Sequence, residues 1–384
     1  MSEARHFVLA AGGTGGHMVP AAALAAELIR RGHSVALVSD ARGVRFPGLF
    51  DGIETHIVPA APLKGGPLGW ARAGRSMLAG RRMAIRLFKE RRPAAVVGFG
   101  GYPALPALLG AFALRVPTAV HEQNAVLGRV NRLVASRVTA IATSYARVER
   151  LSRALEGKTR LVGNPVREAI AELRQRPYPL LEEDGIFRIL VTGGSQGASV
   201  LSQVVPDGLA LLPISFRRRM QVTHQARPED IDAVRAKYAD LQIAAELATY
   251  LPDMPEQLAW AHLVIARAGA STIAELTCAG RPAILVPLPA ATDDHQTANA
   301  REMTDVGGAR TIAQRAFTPV ELAKQMQKLG LDPQALENAA GRARTLGRPD
   351  AARDLADLVE MLDAPYSGLP DGRVAPAQPK AAFA

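Results

Sequence analysis

The sequence predicts an α/β fold: two doubly wound parallel-sheet domains facing each other across a cleft. Three observations lead there. Short, almost wholly apolar runs alternate with longer helical ones along the chain. A strand, glycine-rich turn and helix pattern occurs twice, as F-V-L-A-A-G-G-T-G-G-H at 7–17 and F-R-I-L-V-T-G-G-S-Q-G at 187–197. The length of 384 residues exceeds what one ordinary core serves. Near-continuous apolar strands belong to parallel sheets covered on both faces, with ligand loops at the strands' carboxyl ends.

The first element is the apolar run H-F-V-L-A at 6–10, followed by four glycines in the five positions 12–16. The alanine- and leucine-rich stretch from Pro20 to Arg30 then reads as a helix, with Pro20 near its first turn. Strand-like runs follow at 34–38, 94–98, 118–122 and 139–143, and in the second half at 219–224, 263–267 and 283–287. Thr272–Ala279 reads as a helix stopped by Gly280. Turn formers and charge at 163–184 mark the join, giving domains at 1–166 and 167–345. A last helix, at about 346–362, is expected to pack back on the first domain, and the Pro- and Gly-rich tail 364–384 to be disordered.

Apolar content of 48% and charged content of 21% describe an ordinary soluble globular chain. A single cysteine, Cys278, excludes an intrachain disulfide framework and fits a reducing compartment. The N-terminal M-S-E-A-R-H carries no leader pattern, and no apolar run reaches bilayer-spanning length. Charge is asymmetric: residues 1–166 hold 23 Lys+Arg against 9 Asp+Glu, whereas 167–384 hold 23 against 27. An acidic surface or substrate is therefore expected to face the first domain.

The first glycine loop fails the dinucleotide fingerprint, because Met18 stands where the last glycine belongs, and it lacks a Walker Gly-Lys pair. A nicotinamide-dependent oxidoreductase is disfavoured accordingly. With 5% aromatic residues and no nucleic-acid motif, no nucleic-acid partner is expected.

G-G-T-G-G-H at 12–17, with Pro20, resembles the opening motif of the MurG family. These bacterial glycosyltransferases add N-acetylglucosamine to an undecaprenyl-diphosphate-linked muramyl peptide. Further blocks agree in order: G-F-G-G-Y-P (98–103), H-E-Q-N (121–124), G-N-P-V-R (163–167), G-G-S-Q-G (193–197), R-A-G-A-S-T-I-A-E (267–275) and D-H-Q-T-A-N-A (294–300). The resemblance runs from about residue 6 to 360 and implies the GT-B architecture of two Rossmann-like domains. It also implies a place at the cytoplasmic face of the inner membrane, held peripherally, and allows a cell-wall synthesis complex as a further partner. The nearest rivals are other GT-B enzymes, a glycolipid glycosyltransferase or a UDP-sugar 2-epimerase.

The resemblance implies UDP-GlcNAc on the second domain. Its expected contacts there are Ser195, Leu251 through the backbone, Ala270, Ser271, Thr272, Ile273 and Ala274 at a helix start, and Arg167 on phosphate. Glu275 is expected on the ribose hydroxyls and Gln296 and Asn299 on the sugar, with Thr14, Gly15, Gly16 and Asn124 reaching over from the first domain. By spacing alone, Thr272-x-x-Glu275 is also a capping box, which would tie the glutamate to backbone. Gly12, Gly13, Gly100, Gly101 and Tyr102 are expected to line the acceptor diphosphate, glycine letting the backbone approach a bulky anion. No cofactor and no metal is expected. Asp230-Ile231-Asp232 looks like a metal-binding D-x-D, but its polar context reads as a helix start.

The transfer implied is an inverting displacement by the muramyl C4 hydroxyl, with UDP leaving. His17 is the first candidate for the base that takes the hydroxyl proton and Glu122 the second. Residues 70–92 hold eight basic residues and one acid, Glu90. A stripe including Trp70, Ile85 and Phe88, flanked by Arg72, Arg75, Arg81 and Arg82, is expected to face an anionic membrane.

Overall fold

The computed structural model describes residues 3–43, 48–61, 66–182, 184–194, 197–330 and 332–362. Ser195 and the tail 364–384 lie outside the described residues. The first lobe runs β1 (His6–Ala10), α1 (Gly15–Arg30), β2 (Ser34–Ser39), β3 (Glu54–Ile57), α2 (Gly66–Glu90), β4 (Ala95–Gly98), α3 (Gly101–Ala113), β5 (Thr118–Glu122), α4 (Arg129–Val134), β6 (Ala140–Thr143) and β7 (Thr159–Leu161). The second begins with α5 (Glu168–Glu172), β8 (Phe187–Thr192), α6 (Ser199–Ala210), α7 (Ile214–Arg217), β9 (Met220–Gln225), α8 (Ile231–Asp240) and β10 (Ala244–Ala248). It continues with α9 (Met254–Trp260), β11 (Leu263–Ala266), α10 (Ala270–Ala279), β12 (Ala283–Leu285), α11 (His295–Asp305), β13 (Ala309–Thr311), α12 (Pro319–Gly330) and α13 (Pro333–Thr345). A final helix, α14 (Ala351–Met361), returns to the first lobe.

Both sheets are wholly parallel, in the orders β3-β2-β1-β4-β5-β6-β7 and β10-β9-β8-β11-β12-β13. The winding direction reverses between β1 and β4 in one lobe and between β8 and β11 in the other, and ligands bind at such switch points. Central strands read as near-continuous apolar runs because helices cover both faces: Phe7, Leu9 and Val97 lie in one core layer, Val8, Val96 and Val120 in the opposite one.

The α14 residues Leu355 and Val359 complete the first lobe's core, and Glu360 accepts from His33 Nε2 at 2.7 Å and Arg31 Nη1 at 2.7 Å. Ala125 and Val126 pack with Ile170 and Ile273 of the second lobe, so an apolar layer joins the two.

Two sequence expectations need correction. Helix α1 starts at Gly15, so Pro20 lies inside it and cannot donate to the Gly16 carbonyl. Helix α10 starts at Ala270 with Gly269 as its N-cap, which places Thr272 and Glu275 inside the helix and dissolves the capping box. The Gly280 stop is present in the left-handed conformation, at φ 62°. Among the described residues, no helix is long and apolar enough to cross a membrane.

Candidate active site

The turn after β1 faces the second lobe's switch point across a cleft of about 1170 Å³. It is lined by the turns after β1, β8 and β11 and the helix starts that follow them. Helices α1, α3, α6 and α10 carry no acidic residue in their first turns, and neither do α2, α4, α7, α11 and α13. The acid-free starts leave their free N–H groups and positive dipole ends to an incoming anion.

On the second lobe, Arg167, Leu251, Ala270, Ser271, Thr272, Glu275 and Gln296 line the cleft. Ser271 Oγ is buried without a partner in the first turn of α10, a hydroxyl ready for a ligand. Glu275 Oε1 lies 3.5 Å from Arg167 Nη2; burial pushes the carboxyl pKa up and the guanidinium opposes it. Gln296 Oε1 accepts from the Ala268 amide at 3.2 Å and the Leu288 amide at 3.0 Å, leaving its NH₂ for a ligand. Arg227 and Arg267, absent from the sequence expectations, also line the cleft. Burial and the nearby Arg227 both lower the Arg267 pKa, so two cations face one volume with anion-binding character.

Ile273 and Ala274 do not meet this cleft. The helical turn carries them to a cavity of about 40 Å³ at the hinge, with Asn164 and Cys278. Asn299, expected on the sugar, does not line this cleft either. It is fully buried; Oδ1 accepts from the Ala125 amide at 2.8 Å, and Nδ2 donates to Asn124 Oδ1 at 3.1 Å and the Ala268 carbonyl at 3.2 Å. Asn124 and Asn299 thus form a strut between the lobes.

On the first lobe, Thr14, Gly15 and Gly16 line the cleft. Thr14 is the N-cap of α1 without a side-chain cap bond, which leaves its hydroxyl available. The glycines have several different causes. Gly12 is glycine because a Cβ would sit 2.7 Å from Pro103 Cβ and 2.9 Å from Asp40 Oδ1, so packing, not an anion, demands it. Gly13, Gly100 and Gly101 have φ of +87°, +86° and +67°, a backbone that L-residues rarely adopt. Beside Gly13, Arg42 donates from Nε to Asp40 Oδ2 at 2.9 Å and stacks on Tyr102, its guanidinium carbon 4.9 Å from the ring centre. No motif marks Arg42; only folding brings it to the loop.

His17 Nδ1 lies 3.1 Å from Gln123 Oε1. Burial pulls its pKa below the ordinary histidine value, with Gln123, Glu122 and the Phe99 carbonyl opposing. Glu122, the second candidate for the base, is engaged in internal hydrogen bonds. Its carboxylate is buried, with Oε1 accepting from the Asn124 amide (3.0 Å) and side chain (3.3 Å), and Oε2 from the Gly128 amide (2.8 Å) and Asn131 Nδ2 (2.9 Å). Four donors fix both oxygens as structural acceptors.

Helix α2 divides differently from its expected stripe. Phe88 is 2% exposed, packed in the sheet core, and Ile85 is half-buried. The inward face is Ala73, Gly80, Ala84 and Phe88, whose small residues admit α3; a Cβ on Gly110 would lie 3.0 Å from Ala84 Cβ. Trp70 (60%), Leu78 (53%) and Leu68 (87%) are exposed, as are Arg72, Arg75 and Arg82, while Arg81 is half-buried. Asp230 and Asp232 stand at the start of α8, and Asp232 pairs with Arg235 at 2.7 Å.

Family models match both lobes: the glycosyltransferase family 28 N-terminal domain over residues 7–143 and its C-terminal domain over 188–355. The UDP-N-acetylglucosamine–N-acetylmuramyl-(pentapeptide) pyrophosphoryl-undecaprenol N-acetylglucosamine transferase of Zymomonas mobilis subsp. mobilis is 61% identical over 360 residues, 94% of this chain and 93% of that one. The crystal structure of Acinetobacter baumannii MurG superposes with a TM-score of 0.76 at 30% identity, covering 93% of this chain and 99% of that one. A UDP-N-acetylglucosamine 2-epimerase structure from Listeria monocytogenes, at 15% identity and a TM-score of 0.67 over 94% of this chain and 96% of that one, shares the fold.

Proposed function

The chain belongs to glycosyltransferase family 28, and from that premise we infer how its cleft carries out the transfer. The enzyme is a UDP-GlcNAc-dependent hexosyltransferase. It moves N-acetylglucosamine from UDP-GlcNAc to lipid I, the undecaprenyl-diphosphate-linked muramyl pentapeptide, forming lipid II in peptidoglycan synthesis.

In our reading the second lobe holds UDP-GlcNAc. Arg167 and Arg267, with the start of α10 and Ser271, take the diphosphate. Glu275 accepts from the ribose hydroxyls, and the Gln296 NH₂ meets the sugar. The acceptor diphosphate lies against the first-lobe glycine turns, with Arg42 and Tyr102 beside it. The C4 hydroxyl attacks the anomeric carbon with inversion. Its proton passes to His17 Nε2, and negative charge grows on the departing UDP, where the acid-free start of α10 and the arginines stabilise it.

The observation that supports this division of labour is the cleft itself, in which Thr14, Gly15 and Gly16 of one lobe face Arg167, Arg267 and Ser271 of the other, with His17 one residue beyond the glycines. Membrane docking is proposed through the exposed Leu68, Trp70 and Leu78 of α2, with Arg72, Arg75 and Arg82 on anionic headgroups, at the cytoplasmic face.

Turnover with radiolabelled UDP-GlcNAc and lipid I tests the base. His17→Ala is expected to lower kcat by about 10²–10⁴-fold, with UDP affinity by calorimetry nearly intact. Unchanged turnover would remove His17 from this role.

A further inference from the structure

The residue following Glu122 is where the geometry carries further. The buried Gln123 has its amide nitrogen 3.0 Å from the His121 carbonyl and 3.0 Å from His121 Nδ1, and its Oε1 3.1 Å from His17 Nδ1. A backbone carbonyl only accepts, so the atom facing it is the NH₂, and the amide cannot be turned over. That puts Oε1, which also only accepts, against His17.

The far end is pinned in the same way. His121 Nε2 lies 2.9 Å from the Gly163 carbonyl. Its other neighbour at 3.5 Å, Ser144 Oγ, donates to the Glu122 carbonyl at 3.0 Å. Burial keeps the His121 ring neutral, its pKa pushed down to about 4. The ring therefore carries its hydrogen on Nε2 and offers a bare Nδ1 to Gln123.

We propose that Gln123, anchored through His121 to the Gly163 carbonyl, is a positioning residue that holds His17 as the Nδ1–H tautomer and leaves Nε2 its lone pair for the acceptor hydroxyl. This rests on His17 being the proton acceptor and adds why one ring nitrogen, not the other, is presented. The other groups facing His17 are Glu122 and His121 of β5, the Phe99 carbonyl after β4, and His295 at the start of α11. They are common to the wild type and to variants at Gln123.

Nitrogen-15 NMR of the histidines in the intact wild-type protein is the direct test. At neutral pH, His17 Nδ1 is expected in the protonated range and Nε2 in the unprotonated range; the opposite tautomer overturns the proposal. In kinetics, Gln123→Leu is expected to lower kcat about tenfold or more, with the KM for UDP-GlcNAc within about twofold. Gln123→Glu puts a carboxylate beside the imidazole and favours its charged form, so the acidic limb of kcat/KM moves about one unit to higher pH. An acidic limb that stays in place while His17→Ala lowers kcat as expected overturns the tether and leaves the base intact. An active His17→Ala overturns the base itself.

Discussion

The two lobes wind their sheets in the same order about the same kind of switch point, yet present different chemistry there. After β8 and β11 the second lobe offers Arg267, Ser271 and a helix start, with Arg167 close by. After β1 and β4 the first lobe offers glycine turns and His17, which is tethered to buried side chains, not to charge. The fold supplies the crevice; the few residues after each strand set the chemistry it presents.

The largest expected effect that can break this contrast is on nucleotide binding. Arg167→Ala is expected to weaken UDP binding by about 10–100-fold, since hydrogen bonds to charged groups contribute about 1.5–3 kcal/mol. Arg42→Ala should leave UDP affinity within about twofold and raise the KM for lipid I. Calorimetry that finds both variants equally weak for UDP would erase the division between lobes. Next in size, Gly12→Ala should cost about 1–3 kcal/mol of stability by overpacking against Pro103, with UDP affinity unchanged. A variant as stable as wild type in thermal unfolding would mean the loop has room and the glycine answers to a ligand after all. The smallest effect sharpens the charge asymmetry. Each of Arg72, Arg75 and Arg82 changed to Gln should weaken binding to anionic vesicles by about 1 kcal/mol, roughly fivefold. Gln at the equally basic but second-lobe Arg235 should change nothing in the same sedimentation assay.

The sequence made the interior legible and the margins obscure. Nine strands stand out as apolar runs because both their faces are covered. The four that escape notice, β3, β7, β10 and β13, are the four sheet edges, half-exposed and mixed in character as E-T-H-I, T-R-L, A-A-E-L-A and A-R-T. Edge strands have one partner and need no continuous apolar run. The site behaves similarly. Contiguous blocks such as H-E-Q-N announce themselves, but residue type does not tell where hydrogen bonds go. Glu122 reads as a base and Asn299 as a sugar ligand in the sequence, whereas folding engages both in internal hydrogen bonds. Phe88 follows the helical stripe yet points into the core, because Gly80 and Ala84 turn that face toward α3. Arg42 reaches the first glycine loop and Arg227 the cleft from ordinary polar stretches, with no spacing to flag them.

Asn299 grips Asn124 and the Ala125 amide, the two residues just after Gln123. A second-lobe helix thus holds the chain segment whose Gln123, in the proposed arrangement, aims the His17 imidazole. The contact that joins the lobes and the contact that holds the His17 ring therefore sit within a couple of peptide units of each other on one strand end.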